Sequence, residues 1–180
     1  LDMGSAAYPW AVEDDPEGAG WCVRCCASVL GQRPVPLTHM QKAPIPTGEP
    51  ASVASALRKL LPKFDIDMRD VVVGTTLQDV AKVIEAGGGA IARLERSHEL
   101  REIPPCWVWI VGVETMPLSR WLSTEQSVGL LLVGRELEPP WASGYGARAA
   151  FSDAGSWLIR SVDGHVWSGS ISAMICISPA

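Results

Sequence analysis

The sequence predicts an α+β domain with its helices first and an antiparallel sheet second. Two patterns carry that expectation: apolar residues recur at helical spacing up to Gly87, and short apolar runs separated by turn residues follow from Ala90 onward. A third observation bounds the size, since 180 residues of which 47% are hydrophobic can bury one core without disulfide staples. One domain over residues 1–180 is therefore expected, with a helical part at 6–89 and a strand-rich part at 90–180. Leu1 to Ser5 is set aside from fold reasoning as an appended stretch around a start methionine.

The first helix is read from Cys22 to Leu30, with Gly31 as its stop and Cys22, Cys26, Val29 and Leu30 on one face. Pro34 to Pro50 is a Pro-rich connection. Pro50 opens a second helix that Pro62 ends, with Val53, Leu57, Leu60 and Leu61 on its inner face. Thr76 and Asp79 form a capping-box-like start for a third helix, in which Leu77, Val80 and Ile84 recur before Gly87-Gly88-Gly89 closes it. That glycine run follows a helix instead of preceding one, so it is a stop and not a phosphate loop. Strands are expected at Ala90 to Leu94, Trp107 to Val113, Gly129 to Val133, Ser156 to Arg160 and Ser172 to Ile177, with Asp163-Gly164 as a hairpin turn.

Composition narrows the function classes. The net charge is −5 and the Lys and Arg residues are scattered singly, which lacks the basic footprint of a nucleic-acid binder. No apolar run nears the ~20 residues of a membrane span and no stretch has signal-peptide layout, so neither membrane nor nucleic acid is expected as a partner. The five cysteines, Cys22, Cys25, Cys26, Cys106 and Cys176, are odd in number and do not form a secreted framework, which favours a reducing compartment. The expected location is cytoplasmic, or a destination reached by a delivery route not visible in the chain. Six of the eight tryptophans fall after residue 106, so the second half builds either a Trp-rich core or a recognition groove.

Gly20-Trp21-Cys22-Val23-Arg24-Cys25-Cys26 carries the most specific chemical suggestion. A thiol in the first turn of a helix faces unpaired N–H groups and the positive end of the dipole, which would stabilise its thiolate and make Cys22 the most reactive of the five cysteines. Cys22 also shares the apolar face with Cys26, and a buried structural cysteine would be inert. Both readings stand at this level. The Cys22-x-x-Cys25 spacing does not make a metal site, because zinc needs four ligands and Cys106, Cys176 and His39 are isolated. No metal or cofactor is expected. A thioredoxin-like redox pair would follow a strand, whereas polar and Gly-rich residues precede Trp21.

In their order along the chain these motifs resemble the papain-like cysteine peptidases, and more narrowly the staphopain-like and plant-pathogen effector branch. Trp21-Cys22 through Leu30 looks like that branch's nucleophile helix. Thr76 to Leu94 looks like its helix, glycine turn and strand, and Trp107-Val108-Trp109-Ile110-Val111-Gly112-Val113 looks like the strand that begins with the catalytic histidine. The resemblance implies a papain-like α+β fold and a cysteine-dependent hydrolase acting on amide bonds of a protein or peptide, either a peptidase or a glutamine deamidase of the effector or toxin kind. Cys22 would be the nucleophile. Pro105-Cys106-Trp107 stands where the histidine is expected, so His98 is taken as the base, with His165 and His39 as competitors. Glu138, in Glu138-Pro139-Pro140-Trp141, would orient the imidazole, with Asp153 and Asp163 as competitors. The family's oxyanion glutamine is missing from Asp15 to Ala19, which leaves the Cys22 N–H as donor. The alternatives are a papain-like scaffold without hydrolytic chemistry, used for binding or regulation, and a cysteine enzyme that is not a hydrolase.

Overall fold

One long strand holds the sheet together. The computed structural model describes residues 15, 17–32, 47–69, 77–98, 101–114, 128–134, 147–151, 156–160 and 166–180. Its elements are α1 (Ala19–Leu30), α2 (Pro50–Leu60), β1 (Phe64–Arg69), α3 (Leu77–Glu85), β2 (Gly89–His98), β3 (Arg101–Glu114), β4 (Val128–Val133), β5 (Ala147–Phe151), β6 (Ser156–Arg160) and β7 (Val166–Pro179). Every pairing is antiparallel, in the order β1-β7-β2-β3-β4-β5-β6, and β6 pairs back onto β7. Six strands thereby close into a ring. β7 has the length to serve three neighbours: its first five residues pair β6, its last six pair β1, and its other edge follows β2.

The alternation of side chains along these strands divides the core in two. On one face Ile91, Trp107, Ala173, Ile175 and Ile177 pack with Cys22, Val23, Cys26 and Ala27 of α1 and with Val53, Ala54 and Leu57 of α2. On the other, Ala90, Ala92, Leu94, Cys106, Val108, Ile110, Leu132, Met174 and Cys176 pack with Val80 of α3. The β2–β7 register slips so that Arg93 faces Ala173 while Leu94 faces Ile171, leaving Ser172 as an extra residue. That bulge puts Ile171 and Ala173 in different cores although they are two residues apart.

The α+β mix and the three helices follow the sequence pattern, but β1 lies between α2 and α3, so the helices do not all precede the sheet, and further corrections apply. α1 starts at Ala19, three residues before Cys22, and its buried residues run from Ala19 to Ala27. Val29, expected on the inner face, is 56% exposed, because the packed stripe runs through Ala19, Val23, Cys26, Ala27 and Leu30 and leaves position 29 at its edge. β1 and β5 were not foreseen: Phe64-Asp65-Ile66-Asp67-Met68-Arg69 is half charged, and Ala147-Arg148-Ala149-Ala150-Phe151 lacks β-branched residues. β3 begins at Arg101 and runs through Pro104-Pro105. His98, which falls between the strands expected at Ala90 to Leu94 and Trp107 to Val113, is the last residue of β2, paired with Arg101. β6 and β7 pair across the interval holding Asp163-Gly164, which itself lies outside the described residues, as does Thr76.

Candidate functional site at the start of α1

Gly18 turns the chain into α1 with φ 67°, a left-handed conformation that glycine adopts without penalty. The Gly18 N–H donates to the Asp15 carbonyl at 3.1 Å. Asp15, only 2% exposed, accepts from the helix start with both carboxylate oxygens: the Gly20 N–H donates to Oδ1 and the Trp21 N–H to Oδ2, each at 3.0 Å. The Cys22 N–H donates to the Gly18 carbonyl at 3.0 Å as an ordinary helical bond. It is therefore not available to an oxyanion, contrary to the sequence expectation.

A polar clasp holds this segment on the sheet. The Trp107 N–H donates to the Glu17 carbonyl at 2.9 Å, and the Trp107 indole Nε1 donates to the Gly48 carbonyl at 2.8 Å. Arg93 grips the Glu17 carboxylate with two bonds of 2.9 and 2.8 Å, and its remaining arm reaches Glu95 at 3.1 Å. Such a fork-to-fork pair fixes orientation as well as charge. Gly48 has φ +47°, and a Cβ there would run into the Glu17 carboxylate, so the chain needs glycine at this point.

Cys22 lies in the first turn and a half of α1 and faces the sheet, where its side chain is completely buried. Burial pushes its thiol well above the usual cysteine range; neighbouring Cys26, Cys25, Asp15 and Cys106 add to the rise in that order. The sequence expectation of an acidified thiol is thus reversed. The reason is one of magnitude, for a helix start offers an anion roughly 0.3–2 kcal/mol, whereas stripping a charge of water costs several kcal/mol. Asp15 has also already taken two of the donors. Burial likewise pushes Cys26 up to about 12, with Cys25 adding to it.

Of the other residues expected in the site, His98 is placed only by its backbone. α1 follows Glu17, whose carbonyl accepts from the Trp107 N–H, and ends with Leu30 beside Gly89, whereas His98 lies five residues past Arg93 along β2 in the opposite direction. At a strand rise of about 3.3 Å per residue that is roughly 16 Å. His98 thus ends β2 opposite Arg101, and its side chain lies outside the described residues. Cys106, at the position where the resemblance puts a histidine, packs in the core on the other face of the sheet. Glu138, Asp153, Asp163, His39 and His165 lie outside the described residues. Among the described residues no three or more His, Cys, Asp or Glu side chains are arranged to hold a metal ion, and no helix is long and apolar enough to cross a membrane. Neither the family models nor the curated proteins compared with this chain give a match.

The residues that organise this region, Asp15, Glu17, Gly48, Arg93 and Trp107, were missed in the sequence. Two signals were present. Asp15 and Gly18 precede the apolar helix as capping residues do, and Arg93 follows Ile91 at the strand period on an otherwise apolar face, where a charge needs a partner.

Thiol chemistry gives two expected results. With four cysteines buried and Cys25 half-buried, limited alkylation of the native protein should label Cys25 first, as read by peptide mass mapping; Cys22 labelled ahead of Cys25 would contradict this environment. Stability should also fall as the solution becomes alkaline. Unfolded Cys26 ionises around 9.0 whereas the folded thiol holds its proton to about 12, so its contribution is fully present below about 9 and is lost as pH rises toward about 12. Urea midpoints of wild type and Cys26→Ala should converge on that side, and a constant gap across the window would exclude the effect.

Proposed function

We propose that the domain is a papain-like scaffold without hydrolytic chemistry, which works by binding a protein partner. One observation carries the reading: the start of α1 is already occupied. A thiol hydrolase needs an ionisable thiol and free donors aimed at the developing oxyanion. Here Asp15 accepts the Gly20 and Trp21 N–H groups, Gly18 accepts that of Cys22, and the Cys22 thiol is sealed in the core. Trp107 is part of that core and of the clasp, so recognition falls to other tryptophans of the second half.

A cysteine-dependent amide hydrolase is the second reading. It is favoured by the position of Cys22 itself, close to a helix start and facing the central strands of an antiparallel sheet. Cys22→Ala separates the two. On the scaffold reading the variant folds, retains partner binding and biological activity, and the wild type turns over no peptide or glutamine amide. Loss of activity in a folded Cys22→Ala protein, with Cys22 of the wild type captured stoichiometrically by a peptide-based electrophile, would replace the scaffold with the hydrolase. Parallel loss in His98→Ala would then identify the base, because members of a catalytic dyad act as a unit.

A further inference from the structure

We draw no further inference here: the strongest candidate, the apolar rim patch of Val29, Leu30, Trp109 and Val111 around Gly89 where α1 ends over β2 and β3, carries none because nothing in the structure shows what covers it.

Discussion

Trp107→Ala should destabilise the domain by about 3–5 kcal/mol, the range for removing a fully buried aromatic side chain from a packed core. Trp107 is 1% exposed and packs in the same core as Ile91, α1 and α2. Its indole N–H also holds the Gly48 carbonyl just before α2. Truncation thus opens a cavity and strands an acceptor, and the second effect adds on the order of 1 kcal/mol. For a domain whose total stability is about 5–15 kcal/mol, this is a large share. Trp107→Phe keeps most of the packing and removes the donor, so it should cost a smaller part, roughly 1–2 kcal/mol. Urea unfolding of the three proteins measures both terms. A loss below about 1 kcal/mol for the alanine variant would mean that Trp107 does not occupy the core described above.

Asp15→Ala should cost about 2 kcal/mol, the upper end for loss of a helix N-cap, because both carboxylate oxygens accept helix-start donors in a buried setting. It has a second consequence that a purely structural loss would not produce. The Asp15 charge is one of the influences that raise the Cys22 thiol, so its removal should lower that thiol toward the ordinary range. Under conditions where the variant is fully folded, its Cys22 should alkylate faster than in the wild type, and the increase should be modest because burial, the larger cause, remains. Asp15→Asn retains one acceptor and should lie between the two in stability. An unchanged unfolding midpoint in Asp15→Ala would show that the helix start is satisfied in some other way.

The sequence made the helices legible because their limits are set locally: Pro50 and Pro62 bound α2, Gly31 stops α1, and the glycine run closes α3. It made the central strands legible because Trp107 to Val113 is continuously apolar and serves two cores. β1 and β5 were illegible for the complementary reason. Their residues are held by neighbours distant in sequence, and nothing in Phe64-Asp65-Ile66-Asp67-Met68-Arg69 says that β7 will pair with it. The environment of Cys22 failed in the same way. Its place near a helix start could be read from Gly18 and the apolar spacing, but its burial depends on Ile91, Trp107 and α2, which only the tertiary structure brings together. The Arg93–Glu17 pair likewise spans 76 positions.

β7 closes the ring and also carries β1, and this sets a timetable for synthesis. Phe64 pairs with Pro179 and Arg69 with Met174, so β1 leaves the ribosome roughly a hundred residues before its partner. At about 5–20 residues per second it waits some 5–20 seconds as an unpaired strand, and pairings this remote in sequence are the slow ones to form. An unpaired strand is a template for the wrong chain. β1 bears its own protection through that interval, since Asp65 and Asp67 alternate with Phe64, Ile66 and Met68 and are exposed even in the finished fold. The same charges that hid this strand from the sequence pattern are those that keep it soluble while its partner is being made.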